Sequence, residues 1–236
     1  MPGPVALAGS GEFLSAMAEV DRGLLASIPR TRPRVVILPT ASAPDGDEVF
    51  RRWAAMGEDH FRSLGAEVEA LLVRDVADGD DDWAIQAIGE ADLVYLSGGK
   101  PDHLRRVLMG SALGGALIDA HQRGAVLAGC SAGAMVLAEH VPGFRRGMLP
   151  WPLRWDFGLG IAAGIGLIPH YDAYPQPVMA AMALQAPRGA VVLGIDEETA
   201  VVGRDGAWQV HGRGRVTVWR GRHRERVRRG GVFRVG

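Results

Sequence analysis

Five short aliphatic runs, Val5 to Ala8, Val35 to Leu38, Val68 to Val73, Leu93 to Leu96 and Ala125 to Ala128, recur through the first half of this sequence, with longer amphipathic stretches between most of them. A strand buried on both faces reads as a continuous aliphatic run, and parallel strands must be joined by a segment long enough for a helix. This alternation therefore predicts a parallel sheet covered by helices. Val49 to Leu64 shows the helical part: Phe50, Trp53, Ala54, Phe61 and Leu64 fall on one side, Arg51, Arg52, Glu58 and Asp59 mostly elsewhere, and Gly65 follows as a stop. After Pro169 the pattern continues with a helix around Gln176 to Leu184 and a strand at Val191 to Ile195. It then changes. Ala200 to Gly203, Trp208 to His211, Val216 to Trp219 and Val232 to Val235 are short strands separated by Asp205-Gly206 and Gly212-Arg213-Gly214, which predicts closing antiparallel hairpins. The expected fold class is α/β, a three-layer sandwich with a mostly parallel central sheet and C-terminal antiparallel hairpins.

At 236 residues the chain suits one core, so a single domain over 1–236 is expected. A net charge of -1 provides no global field to draw in nucleic acid or an anionic membrane, which points to a small or locally recognised partner. Arginines crowd the end of the chain, from Arg213 and Arg215 to Arg228 and Arg229, and read as the solvated face of a hairpin; no aromatic interleaving supports RNA binding. One cysteine allows no intramolecular disulfide and no cysteine-based metal site. The first residues lack a basic leader, and Gly158 to Pro169 falls well short of the ~18 apolar residues of a membrane span, so the expected location is the cytoplasm, without a membrane anchor. The apolar C-terminal strands leave a homodimer open.

In an open parallel sheet ligands gather at the carboxyl ends of the strands. The residues there are Gly9-Ser10-Gly11-Glu12, Pro39-Thr40-Ala41-Ser42, Ser97-Gly98-Gly99-Lys100 and Gly129-Cys130-Ser131. Gly129-Cys130-Ser131-Ala132-Gly133 matches the G-x-S-x-G pattern in its expected context, after an aliphatic run and before a helix-forming run from Ala134 to Glu139. Such a turn is so sharp that small residues flank its central residue, and its strain projects that side chain, here Ser131, above the sheet. A serine needs a base, an oxyanion site and a cleft. Gly98-Gly99 lets the backbone approach a substrate, the Gly99 N–H is a second oxyanion donor beside that of Ala132, and Lys100, the only lysine, is placed to hold a substrate carboxylate or to lie in solvent. Among seven histidines, His170 stands in a loop at a strand end within Pro169-His170-Tyr171-Asp172 and is the candidate base. His103, at a helix start near the glycine pair, is a minor candidate.

Together with Ile37-Leu38-Pro39-Thr40-Ala41-Ser42 and Gly194-Ile195-Asp196-Glu197-Glu198-Thr199-Ala200, these motifs resemble the serine peptidase family of dipeptidase E and cyanophycinase over nearly the whole chain. The resemblance implies a class I glutamine amidotransferase-like, flavodoxin-like fold, with serine in place of cysteine, and hydrolysis of peptide or isopeptide bonds next to aspartate. Carried over by motif, Ser131 is the nucleophile, His170 the base, and the N–H groups of Gly99 and Ala132 the oxyanion hole.

Two departures stand out. The family commonly has asparagine or aspartate after the glycine pair, where this chain has Lys100-Pro101. The family's orienting acid is expected roughly midway between serine and histidine, where Phe144-Arg145-Arg146-Gly147-Met148 holds no carboxylate. Between the two residues the acids are Glu139, expected on the helix after Ser131, and Asp156, in a loop free to bend towards His170. Asp156 is the first expectation, and Asp172, two residues after the histidine, the second. The expected function is a serine exopeptidase acting on small Asp-containing peptides through an acyl-enzyme, with no metal or organic cofactor. Two other readings stay open: an amidase or glutaminase-like domain, and a catalytically impaired, ligand-binding homologue.

Overall fold

The computed structural model describes residues 1–143 and 153–236; the Phe144 to Met148 segment lies outside the described residues. Strands β1 (Val5–Ala8), β2 (Arg34–Leu38), β3 (Glu67–Ala70), β4 (Leu93–Leu96) and β5 (Val126–Cys130) form the parallel part of one sheet. Between them run α1 (Ala18–Ala26), α2 (Asp47–Ser63), α3 (Asp82–Glu90), α4 (Pro101–Gly110) and α5 (Ala112–Arg123), as the alternation predicts. Strands β1, β2, β4 and β5 use their period of two to bury both faces, whereas the edge strand β3 leaves Glu67 and Glu69 exposed. Ala6, Ala8, Val35, Ile37, Leu93 and Tyr95 face α1 and α2, whereas Val5, Leu7, Val36, Leu38, Val94 and Leu96 face α3, α4 and α5.

After β5 come α6 (Ala132–Leu137), β6 (Ala138–Gly143), β7 (Arg154–Phe157), β8 (Ala162–Ile168), α7 (Gln176–Ala183) and β9 (Val191–Ile195). The chain closes with β10 (Thr199–Arg204), β11 (Ala207–Gly212), β12 (Arg215–Arg220), β13 (His223–Arg228) and β14 (Val232–Arg234). Two sheets result among the described residues. The first has the order β14-β11-β10-β1-β5-β4-β2-β3, with β10 antiparallel to β1; the second has the order β13-β12-β9-β8-β6-β7. The fold is thus mixed α/β around a mostly parallel central sheet with antiparallel closing strands. The second sheet exceeds the expectation. One of its faces joins the main core through Ile165, Leu167, Leu193 and Ile195; the other is covered by Met179 and Met182 of α7 against Ile168, Val192 and Trp219.

The helix expected to run from Ala134 to Glu139 stops at Leu137, and Glu139 and His140 lie in β6. Ala138 turns to an extended backbone, and β6 gains ladder partners in β7 and β8. Pro142 suits this outcome, because a proline cannot sit in a helix interior, and a six-residue helix has too little cooperativity to resist a neighbouring ladder. The late arginines lie mostly exposed along β12 and β13, with Val216, Val218 and Val227 turned inwards. No helix among the described residues is long and apolar enough to cross a membrane.

Candidate active site

The backbone turns at Ser131, between β5 and α6, with φ 49° and ψ −108°. A non-glycine residue at positive φ is strained by roughly 1–3 kcal/mol and persists only where its surroundings hold it. Here they do. The Ser131 N–H donates to Ala8 O at 2.9 Å, and its carbonyl accepts from Met135. A Cβ on Gly129 would come within 2.5 Å of the Gly133 carbonyl carbon, and one on Gly133 would run into the Leu96 carbonyl oxygen. The flanking glycines are therefore required by close backbone packing.

Ser131 Oγ lies 3.0 Å from His170 Nε2. His170 follows β8, and it too has a positive φ, 51°. Its neighbour Tyr171 anchors the loop. The Tyr171 ring is buried against Gly194, its N–H donates to Ile195 O, and its hydroxyl accepts from Trp219 Nε1 at 3.0 Å. On the other side of the ring, His170 Nδ1 lies 2.9 Å from Glu197 Oε1. A carboxylate at Nδ1 fixes the tautomer with the proton on Nδ1 and the lone pair on Nε2, facing the serine hydroxyl. Glu197 stands between β9 and β10, held by its own N–H, which donates to Asp172 Oδ1 at 2.8 Å. Its carbonyl accepts from the Thr199 hydroxyl. Glu198, next in the chain, has φ 49° and receives support from Ser10. The imidazole and Glu197 carboxylate are partly solvated, 34% and 49% exposed, so water competes for the acid in a way it does not in a buried triad.

The sequence reading located the serine, the histidine and the glycine pair that this edge brings together, but not the acid. Asp156 does not reach His170. It lies half-buried on the edge strand β7, opposite the buried Val141, with its carboxylate 3.8 Å from Arg105. A strand register fixes its direction, whereas the expectation treated the segment as a loop. Glu139, in β6, accepts from the Gly164 N–H. Asp172 is near the histidine but accepts from the Glu197 backbone instead of the ring. The missed residue is Glu197. Its motif, Gly194 to Ala200, stands out in the sequence, but the acids expected at the ring lie between serine and histidine or two residues after the histidine, and Glu197 is 27 residues beyond it.

Gly99, at φ +141°, has no room for a side chain, because a Cβ would strike the Ala41 carbonyl. Among the described residues, its N–H and that of Ala132, at the start of α6, donate to no protein acceptor. A Cβ on Gly98 would lie 3.5 Å from that of Ser131, so the glycine pair borders the serine. Lys100 is half-exposed, with Nζ 3.1 Å from Asp45 Oδ1. His103 is turned away, its Nε2 2.8 Å from Arg74 O. Cys130 is fully buried and its thiol pKa is pushed well above the ordinary value by burial, then by the nearby Glu12 carboxylate. It is held as an inert thiol beside a reactive position. Burial, and then the neighbouring Asp172, raise the Asp196 carboxyl, while Arg215 opposes them.

A hydroxyl, an imidazole and a carboxylate in a hydrogen-bonded row, beside two free N–H groups, can take a proton from the hydroxyl and stabilise an oxyanion. Residues 5–211 match peptidase family S51. The cyanophycinase of Synechococcus elongatus is 32% identical over 195 residues, 77% of this chain, and that of Trichormus variabilis is 30% identical over 214 residues, 85% of this chain. The chain spans 57% and 67% of the length of those two proteins. A peptidase from an acI-B1 Actinobacterium superposes with a TM-score of 0.87 at 32% identity, covering 99% of this chain and 97% of the other. A putative peptidase E protein from Listeria monocytogenes shares the fold at 16% identity, with a TM-score of 0.64 over 91% of this chain and 100% of its own.

Proposed function

Because the chain belongs to peptidase family S51, we propose that it is a serine hydrolase cleaving small Asp-containing peptides or isopeptides through an acyl-enzyme, with Ser131 as nucleophile and His170 as base. The observation that carries this reading is the row Ser131 Oγ, His170 Nε2, His170 Nδ1, Glu197 Oε1, with gaps of 3.0 Å and 2.9 Å. Nε2 takes the Ser131 proton as Oγ attacks the scissile carbonyl. The carbonyl electrons move onto oxygen, and the Gly99 and Ala132 N–H groups receive the resulting oxyanion. Collapse breaks the C–N bond, and the imidazolium returns its proton to the leaving amine. Water, deprotonated by His170, then attacks the Ser131 ester; the acyl C–Oγ bond breaks, the imidazolium returns its proton to Oγ, and the acid is released. A positioned base contributes roughly 10²- to 10⁴-fold and each oxyanion donor about 10²- to 10³-fold. Glu197 holds the productive tautomer and stabilises the imidazolium.

An acid at Nδ1 favours an active enzyme over an impaired ligand-binding homologue, since the latter reading rested on a missing acid. The aspartate preference rests on the motif resemblance, the cyanophycinase relatives favour a cyanophycinase-type substrate as a second reading, and Lys100, beside Gly99, is a candidate contact for a substrate carboxylate once it leaves Asp45. The test is fluorophosphonate labelling and turnover on a panel of Asp-X dipeptides and β-linked aspartyl isopeptides. Ser131→Ala is expected to abolish labelling and lower turnover by at least about 10⁴-fold. A wild-type protein that neither labels nor hydrolyses any member of the panel refutes the reading.

A further inference from the structure

The turn Ser97 to Lys100 donates three of its four backbone N–H groups to the protein: Ser97 to Leu38 O at 3.1 Å, Gly98 to Glu12 Oε1 at 2.9 Å and Lys100 to Ala41 O at 2.7 Å. Among the described residues the fourth, that of Gly99, donates to no protein acceptor. Of these acceptors only Glu12 is a side chain. It is 7% exposed, and its second oxygen, Oε2, accepts from the Cys130 thiol at 2.8 Å. One buried carboxylate thus ties the residue before Gly99 to the residue before Ser131, across 118 positions of sequence to the latter.

Local structure is spent on putting it there. Phe13 has a left-handed backbone, φ 62°, which is costly for an aromatic residue. Its ring is held by Tyr95, 5.0 Å between centroids, and by His60 and Phe61 at 5.9 Å and 6.3 Å. Opposite the carboxylate, a Cβ on Gly98 would come within 2.6 Å of Glu12 Oε1, so a side chain at position 98 would push the carboxylate out of its present place. A buried N–H without an acceptor is destabilising, and a carboxylate offers acceptors to both donors at once.

We propose that Glu12 is a positioning residue of the active site, fixing the glycine turn against the Ser131 turn so that the Gly99 and Ala132 N–H groups stay at the separation a single oxyanion needs. This rests on the assignment of Ser131 and of these two donors under the proposed function. Oxyanion donors act most strongly in the transition state, so their displacement lowers the chemical rate more than it weakens ground-state binding.

The experiment measures the maximal labelling rate and the half-saturating concentration of a fluorophosphonate on wild type, Glu12→Ala and Glu12→Gln, with melting temperature as a control. Glu12→Ala is expected to lower the maximal rate roughly 30- to 100-fold with half-saturation within twofold. Glu12→Gln keeps an oxygen for the Gly98 N–H and is expected to recover most of the loss, to within about 3- to 10-fold of wild type. The proposal is overturned if folded Glu12→Ala keeps the wild-type rate within twofold, or if its loss lies in half-saturation alone. If Glu12→Ala does not fold, Glu12→Gln decides: a loss of threefold or more in rate at unchanged half-saturation supports the proposal, and an unchanged rate overturns it. Wild-type protein that fails to label at Ser131 refutes both the proposed function and this inference; labelled wild type with indifferent Glu12 variants refutes only the latter.

Discussion

Around Ser131 the backbone does the positioning, with two glycines packed against the carbonyl of Leu96 and the turn itself, whereas Glu197, across the same site, is held by side chains and loop hydrogen bonds and remains half in water. Ser131 directly follows a buried strand flanked by strands on both sides; Glu197 sits on a connection between the two sheets. Damage to the first region should therefore be felt as lost stability as well as lost rate, and damage to the second as lost rate alone. A nucleophile must not drift, while an acid need only bias a tautomer.

The sharpest way to break this contrast is Glu197→Gln. It is expected to lower kcat by about 10³-fold, short of the roughly 10⁴-fold found when a buried triad acid is replaced, because water reaches this one. Its melting temperature should stay near that of wild type, and a stability loss as large as the rate loss would erase the distinction. Gly133→Ala tests the other side. With the new Cβ driven into the Leu96 carbonyl, we expect a loss of about 3 kcal/mol or more, read by calorimetry as a fall in Tm of roughly 6–12 °C. A stable Gly133→Ala protein would mean that the turn is far more plastic than its packing indicates.

Asp172→Asn should act more gently. It weakens one charge-assisted hydrogen bond to the Glu197 N–H, worth about 1–2 kcal/mol, so kcat should fall by roughly 5- to 30-fold in steady-state assays. A loss equal to that of Glu197→Gln would show the two acids acting as a unit. Smallest of all, Asp156→Asn is expected to leave kcat within about twofold, since among the described residues that carboxylate pairs with a partly exposed Arg105 at 3.8 Å and such pairs are worth about 0–1 kcal/mol. A large rate loss there would return Asp156 to the site.

The parallel strands and their helices were readable because each carries its own signal. Aliphatic runs of four to six residues, amphipathic spacing from Phe50 to Leu64, and paired glycines around Ser131 all reflect local constraints on burial and backbone freedom. His170 was readable because it follows a strand and a proline. By contrast, the first two residues of β6 read as the end of a helix, because Ala138 and Glu139 favour helix locally and the ladder to β7 and β8 overrides that preference. Glu12 was visible as a strand-end residue, yet nothing near it announced two hydrogen bonds to positions 98 and 130.

The sequence by itself determined the parallel architecture, the strained turn at Ser131, the glycine pair and the histidine, since each is written in residues close together in the chain. Only the tertiary structure decided which carboxylate meets His170 Nδ1. Asp156, Asp172 and Glu197 are chemically close to interchangeable, and their separation from the ring is fixed by strand register and by the path of β9 into β10, over distances that local propensity does not sense.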